Sequence, residues 1–361
     1  MKYRRLPHTG QEISIIGLGG SALGSAGEKE IISTLETAFE AGINYFDMAA
    51  GDQRLFAPYG KVLSSCRQKA LLQVHFGAVY DQNGKYGWTL DLEKIKKSVS
   101  RQLELLKTDY IDFGFIHCID ELSDLKKAEK TINYIKELQS QKVVHSIGLS
   151  THTPHIALEM IDLLDMLMFS INPAYDYQNG KYAIGSQGER MDLYRKCQAK
   201  GVGISVMKPF GGGQLLSGDT SPFKTALSRY QCIRYALDRP GVVTVLPGIR
   251  GLEDLKNVLG YLDAGEEETD YSVLATFAPS EADGKCVYCS HCHPCPAGLD
   301  IGLINKYYDL SKAGDELAKD HYLNLEKKAS DCIGCGHCDA RCPFHVHQSA
   351  RMSEIKEYFG K

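Results

Sequence analysis

Apolar residues come in short runs that recur at regular intervals through the first 262 positions. Eight of these runs are β-rich: SIIGLGG, INYFDMA, ALLQVHF, YIDFGFIHC, VVHSIGLS, MLMFSIN, VGISVMKPF and VVTVLPG. They are continuous rather than alternating, as in strands buried on both faces. Each is followed by a stretch of helical character, from EKEIISTLETAFEAG after the first to GLEDLKNVLGYLD after the last, and several end on glycine, a helix stop signal. Eight consecutive strand–helix units in about 260 residues predict an α/β fold of the (β/α)8 TIM barrel type. A doubly wound sheet is the competing arrangement. However, GLGGSALG after the first run is not G-x-G-x-x-G, and no acidic residue stands at the end of a clear second strand about twenty residues on. Ahead of the first run, MKYRRLPHTGQEIS predicts a short hairpin turning at His8–Gly10, placed over the closed end of the barrel.

The pattern breaks after Leu262. DAGEEETDYSVLATFAPSEADGK is acidic and without period, the signature of a linker. Helical periodicity returns in LDIGLINKYYDLSKAGDELAKDHYLNLEKKAS, between two groups of cysteines. The expected organisation is a barrel over 1–262, a linker over 263–284, and a small α-helical ferredoxin-like domain over 285–361.

Eight of the twelve cysteines lie between Cys286 and Cys342. Cys286, Cys289, Cys292 and Cys295 are followed by Pro296; Cys332, Cys335, Cys338 and Cys342 by Pro343. The second group matches C-x2-C-x2-C-x3-C-P, in which the fourth thiolate serves the other of two iron–sulfur clusters. That logic predicts two [4Fe–4S] clusters, one on Cys286, Cys289, Cys292 and Cys342, the other on Cys332, Cys335, Cys338 and Cys295. Structural zinc is the alternative, but zinc sites usually take two separated pairs of ligands. His291, His293, His337, His345 and His347 read as solvated or supporting groups rather than ligands. Cys66, Cys197 and Cys232 read as small buried apolar residues. Cys118 stays open because it follows His117.

Composition narrows the function classes. With 43% hydrophobic and 24% charged residues, a net charge of −4 and no basic run, the chain lacks a nucleic-acid footprint. Its apolar stretches are too short to span a bilayer, and MKYRRLPHTGQE has no signal-peptide core, so the expected location is the cytoplasm. There, twelve cysteines point to metal ligation rather than disulfides.

Chemistry in such a barrel collects at the C-terminal ends of the strands. Those ends carry Asp47, His75, His117, Ser150, Asn172, Lys208 and Gly248. Two histidines facing one mouth beside an aspartate point to a site.

INYFDMA, YIDFGFIHC, SIGLSTH and VLPGIRGLEDL, together with the opening YRRLPHTGQEISIIGLGGSALG, resemble the aldo-keto reductases across the whole barrel. ISVMKPFGGGQLL and the cysteine-rich tail resemble the branch with a C-terminal ferredoxin-like domain. The resemblance implies NADP(H) at the mouth, hydride transfer to a carbonyl, and an Asp, Tyr, Lys and His at the site. Asp47 matches the Asp and His117 the His. Asp52 stands in the tyrosine's place and His75 in the lysine's. The expectation is therefore a protonated His75 as proton donor, held charged by Asp47 or Asp52, with His117 orienting the substrate oxygen. Tyr80, Tyr86 and a shifted Tyr59 are candidates for the missing phenol. Ser150 and Asn172 stand where the family holds the nicotinamide carboxamide. Lys208 with Gly211 and Gly212 suits a pyrophosphate, and Gly248 with Arg250 a phosphate at a helix start. Val258 stands where the family contacts adenine with an asparagine.

Nicotinamides move electrons in pairs and iron–sulfur clusters singly, so FMN is an alternative occupant of the mouth. The whole reads as an iron–sulfur oxidoreductase acting on a small, oxygenated substrate, exchanging electrons with a partner such as ferredoxin or flavodoxin. The alternatives are a cluster-carrying electron-transfer subunit whose barrel has lost carbonyl reduction, and a redox-neutral lyase or isomerase. The segment AVYDQNGKYGWT, with Tyr80, Tyr86 and Trp88, is the expected specificity loop.

Overall fold

The computed structural model describes residues 1–178, 180, 182–276, 284–289, 291–312 and 315–360. The N-terminal hairpin pairs β1 (Tyr3–Arg5) with β2 (Glu12–Ser14) in antiparallel register. Its turn closes through the Gly10 amide donating to the Leu6 carbonyl at 2.8 Å. Leu6 and Ile13 are fully buried among Met166 and Val243, at the N-terminal ends of their strands, so the hairpin plugs the end opposite the mouth.

The main sheet is built from β3 (Leu18–Gly19), β4 (Tyr45–Asp47) and β5 (Leu71–Phe76). A second hairpin follows, β6 (Ala78–Tyr80) with β7 (Tyr86–Trp88). The main sheet then continues with β8 (Ile111–Ile116), β9 (Val144–Thr151), β10 (Met166–Ser170), β11 (Gly203–Met207) and β12 (Val242–Val245). Eight strands pair in parallel in the order β3, β4, β5, β8, β9, β10, β11, β12. Ile16 bridges Val245 in parallel, which joins the two edges into a barrel. Both faces of β8, β9, β10, β11 and β12 are almost wholly buried, as continuous apolar runs demand.

All eight expected strands are present. The first shrinks to two residues and one bridge. The last expected helix before β12 begins at Arg229 rather than in PFKT, because Ser228 and Gln231 form a reciprocal capping box that fixes the start. The helix Leu92–Leu106 shows how the outer layer is set. Asp91 caps it through the Glu93 and Lys94 amides, and Ile95, Val99, Gln102 and Leu106 form its buried stripe.

Within the barrel, side chains alternate in and out. Tyr45, Leu71, Phe113, Phe115, Met166, Met168 and Met207 form the interior, while Leu72, Val74 and Phe76 face the helices. Gly148 makes room for Phe115: a Cβ there would meet the phenyl ring at 2.3 Å. Inward positions of β5 are therefore 71, 73 and 75, which places Gln73 and His75 in the interior.

Of the expected linker, residues 277–283 lie outside the described residues. The rest is anchored. Tyr271 is buried and donates to Asp238 at 3.0 Å, and Gln231 donates to the Asp270 carbonyl. The C-terminal segment contains helices Ile301–Lys312, Glu316–Leu323, His337–Arg341 and Gln348–Phe359. Leu299, Ile304, Tyr308, Tyr322, Met352 and Ile355 form their core. This segment packs on the barrel: Val287, Phe344 and Val346 join the barrel's core. Arg239, fully buried, donates to the Val287 carbonyl at 2.8 Å, and Arg195 meets Tyr288 and Asp309. Among the described residues no helix is long and apolar enough to cross a membrane.

Candidate active site and thiol cavities

The C-terminal ends of the strands surround a cavity of about 770 Å³. At its floor, β4 and β5 pair Asp47 with Gln73, and β5 and β8 pair His75 with Phe115. One layer above, His117 follows β8. These inward positions form a hydrogen-bonded chain. His75 Nε2 lies 2.8 Å from Asp47 Oδ1. His75 Nδ1 lies 2.8 Å from His117 Nδ1, with the two rings nearly perpendicular. His117 Nε2 lies 2.7 Å from the Tyr86 hydroxyl. The Trp88 indole donates to the His117 carbonyl at 3.0 Å, so the β6–β7 hairpin is pinned onto His117 twice. Tyr86 is 38% exposed and His75 0%, so the chain runs from the opening to the barrel's interior.

Gln73 holds the inner end. Its amide nitrogen donates to Asp47 Oδ1 at 3.1 Å and lies 2.9 Å from His75 Nε2. Its carbonyl accepts from the hydroxyls of Tyr45 and, at 3.2 Å, Ser205. Burial, with His75 and His152 nearby, holds the His117 imidazole well below the usual histidine range, hence neutral. Burial beside Cys118 pushes the Tyr86 phenol up to about 12.

This geometry corrects several expectations. His75 has both ring nitrogens engaged inside the barrel, so it does not itself donate to substrate. Asp52 stays outside the chain: it caps the turn Gln53–Leu55 and accepts from the Arg54 amide and guanidinium. Asn172 is fully buried and spent on backbone, accepting from the Tyr175 amide and donating to the Lys208 carbonyl. Tyr59 is buried against Phe46 under the outer helices, and Tyr80 donates to the Ala50 carbonyl. Of the three phenols considered, only Tyr86 lines the cavity.

Ser150, Lys208, Gly212, Gly248 and Arg250 also line it. Gly211, Gly212 and Gly213 all have positive φ, and a Cβ on Gly212, Gly213 or Gly248 would meet nothing within 4 Å. A ligand can therefore approach this backbone closely. Arg250 is exposed and bonded to Asp254 at 2.9 Å.

Sequence reading missed Gln73, Asp120 and His152. Gln73 is a polar residue two before His75 in an otherwise apolar strand, and that spacing of two was the available signal. Asp120 and His152 follow β8 and β9, and His152 lines the cavity. His152 Nδ1 is 3.0 Å from Asp120 Oδ2, and its Nε2 is 2.8 Å from Lys208 Nζ.

The cysteines converge in two groups. Cys286, Cys289, Cys292 and Cys342 line one small cavity, with Val287 and Phe344 at its wall. Cys295, Cys332, Cys335 and Cys338 line another, with Ile333 and His337. Each group draws three thiols from one motif and one from the other. The amides of Val346 and Gly334 approach the sulfurs of Cys342 and Cys332. Four thiols around one space suit a polycationic centre that several thiolates can share. Burial already pushes Cys289 up to about 12.

A barrel of eight parallel strands with polar groups at its C-terminal mouth, joined to paired thiol cavities, is the architecture of a reductase-type barrel carrying an iron–sulfur domain. The chain belongs to the aldo/keto reductase family, whose profile matches residues 15–231, and residues 283–346 match the 4Fe-4S dicluster domain. It is 33% identical over 167 residues to the uncharacterized oxidoreductase YqkF of Bacillus subtilis, covering 45% of this chain and 52% of that one. The chain thus spans about half the length of that relative. It is 25% identical over 317 residues to the aldo-keto reductase YhdN of the same species, covering 76% of this chain and 93% of that one. Among solved structures it shares its fold with the aldo-keto reductase AKR11C1 of Bacillus halodurans, at TM-score 0.63, 22% identity, 77% of this chain and 97% of that one.

Proposed function

We propose that the mouth interconverts a carbonyl and an alcohol in a small oxygenated molecule, with Tyr86 exchanging the proton and two [4Fe–4S] clusters relaying electrons. The observation that carries this reading is the unbroken chain from Tyr86 through His117 and His75 to Asp47.

The chain has two self-consistent proton arrangements. In one, the Tyr86 hydroxyl donates to His117 Nε2, His117 Nδ1–H to His75 Nδ1, and His75 Nε2–H to the Asp47 carboxylate. Tyr86 then takes the proton of a substrate alcohol as its own moves inward, and a proton arrives on Asp47. In the other, every bond points outward and the proton leaves Asp47, so that Tyr86 protonates a carbonyl oxygen. Gln73 donates to Asp47 in both. Phe115, 5.4 Å from the His75 ring, keeps the relay dry. The outward arrangement serves reduction and the inward one oxidation.

Gly211, Gly212, Gly248 and Arg250 fit the phosphate-bearing end of NADP(H) and Ser150 its nicotinamide end, with FMN the alternative. Such a group supplies the hydride, or the pair of electrons, at the mouth. Cys286, Cys289, Cys292 and Cys342 would hold one cluster, and Cys332, Cys335, Cys338 and Cys295 the other. The first lies against the barrel's core. The second lies outward, where Cys335 is exposed and Ile333 is 67% exposed. A ferredoxin or flavodoxin would dock at that outer face. The domain boundaries that suit this arrangement are 1–262, 263–284 and 285–361.

The test is turnover by the anaerobically purified full chain against a panel of small aldehydes, ketones and alcohols, with NADP(H) and with reduced ferredoxin. Tyr86→Phe is expected to lower kcat by about a hundredfold or more. Unchanged turnover in Tyr86→Phe removes Tyr86 from the mechanism. Absence of any turnover, with a redox partner bound, favours the electron-transfer subunit.

A further inference from the structure

Beside the proton chain, the ends of β8, β9 and β11 bring together four side chains that it does not use: Cys118, Asp120, His152 and Lys208. Cys118 (φ 51°) and Lys208 (φ 55°) both hold left-handed backbone conformations. Such conformations are unfavourable for a non-glycine residue, and persist where the surroundings impose them, typically at functional sites. Lys208 is imposed upon from both ends. Its carbonyl accepts from Asn172 Nδ2 at 2.9 Å. Its Nζ lies 2.8 Å from His152 Nε2 and 4.1 Å from the centre of the Tyr182 ring.

His152 is equally fixed. It stacks on Tyr182 at 4.4 Å, and its Nδ1 lies 3.0 Å from Asp120 Oδ2. Asp120 in turn accepts from the Thr151 hydroxyl at 2.9 Å and the His152 amide at 2.6 Å. Nδ1–H therefore donates to the carboxylate, and the lone pair of Nε2 faces the amine. An amine, a base within hydrogen-bond reach, and a carboxylate that fixes the base's tautomer are the signature of an activated nucleophile.

We infer that Lys208 is a nucleophilic amine, held ready by Asp120 and His152, that condenses with the carbonyl carbon of an aldehyde or ketone in the mouth. In the first step a bond forms from Nζ to that carbon. One Nζ proton leaves through His152 and the carbonyl oxygen gains one, giving a carbinolamine. In the second step the hydroxyl takes a proton and leaves as water, and the nitrogen loses its last proton, giving an imine. One C=O bond is exchanged for one C=N bond and one water is released, with no change in oxidation state. Hydrolysis retraces both steps and returns the amine. A protonated imine withdraws electrons from the carbon beside it and acidifies that carbon's C–H bonds, so the step would serve proton transfer there, after which hydrolysis frees product and amine.

Burial lowers the pKa of Lys208 from its ordinary range, which favours the free amine. Donor atoms of Cys118, Asp120 and His152 lie within 4.8 Å of one another. A cation there would displace the Nδ1–H bond to Asp120 and stand beside the Lys208 amine, so the group reads as an orienting pair and not a metal site.

The test is reductive methylation of the full-length holoprotein by formaldehyde and cyanoborohydride at neutral pH without oxygen, mapped lysine by lysine by mass spectrometry. Lys208 is expected to react faster than the median exposed lysine, because His152 takes up the proton its amine must lose. His152→Gln should bring Lys208 down to the median and leave the other lysines and the iron content unchanged. If that variant does not fold, the pH profile of Lys208 labelling in the native chain decides, with a midpoint below that of the exposed lysines expected. Labelling of native Lys208 no faster than the median, an ordinary midpoint, or undiminished labelling in a folded His152→Gln chain overturns the proposal. The labelling needs no turnover, so its outcome is separate from that of Tyr86→Phe.

Discussion

Because both nitrogens of His75 are engaged with Asp47 and His117, its replacement acts through Tyr86 rather than on substrate contact. His75→Phe should lower kcat with little change in KM, by about tenfold or more, in steady-state kinetics. His117 adds a pH signature. Its pKa is lowered by folding, so the unfolded state binds the proton first as pH falls. The stability owed to the neutral ring is complete above about pH 6.5 and is lost as pH falls below that value. The slope is about 1.4 kcal/mol per pH unit for one proton, read by urea unfolding between neutral and mildly acidic pH. His117→Gln should flatten that slope. Asp47, His75 and His117 were legible in the sequence because titratable residues at strand ends stand out against apolar runs. Their order was not, because it depends on ring orientation. Asp52 misled for a related reason: position in the chain placed it beside Asp47, but its backbone turns the carboxylate to Arg54.

At the scale of elements, the β6–β7 hairpin brings to the mouth the hydroxyl that the strand ends lack. AVYDQNGKYGWT stood out in the sequence as the expected specificity loop. Which of its aromatic residues faces inward depended on the antiparallel register, which pairs Tyr80 with Tyr86 and Ala78 with Trp88. Trp88→Phe keeps the ring and removes the indole N–H that holds the His117 carbonyl. It should destabilise the hairpin by about 1 kcal/mol and raise its amide exchange rate. Strand β9 offers a sharper structural test. A methyl group on Gly148 would drive Phe115 toward His75, so Gly148→Ala should cost about 1–3 kcal/mol in urea unfolding and lower activity together.

For the whole molecule, the two thiol cavities each draw on both cysteine motifs, and helix Ile301–Lys312 lies between those motifs in the chain. Metal and fold are therefore coupled: Cys292 and Cys338 belong to the core of the C-terminal helices. Iron chelation under oxidising conditions should lower the melting temperature of that segment first, followed by circular dichroism and limited proteolysis. Cys342→Ala and Cys295→Ala give a second test. Each should reduce iron from about eight to about four atoms per chain, with loss of different clusters by electron paramagnetic resonance. Loss of both clusters from either variant would leave the crossed pairing without support.

The order of apolar runs determined the barrel, because eight two-sided strands with helices between them have few other ways to be buried. The spacing of three between cysteines likewise specified iron–sulfur chemistry, since local spacing already limits what thiolates can share. Tertiary structure alone decided that Gln73, His75 and Asp47 meet in the barrel interior, that Tyr86 closes the chain, and that Lys208 turns to His152 rather than outward. Those relations join residues on different strands, and their geometry comes from sheet register and side-chain packing, which no single stretch of sequence contains.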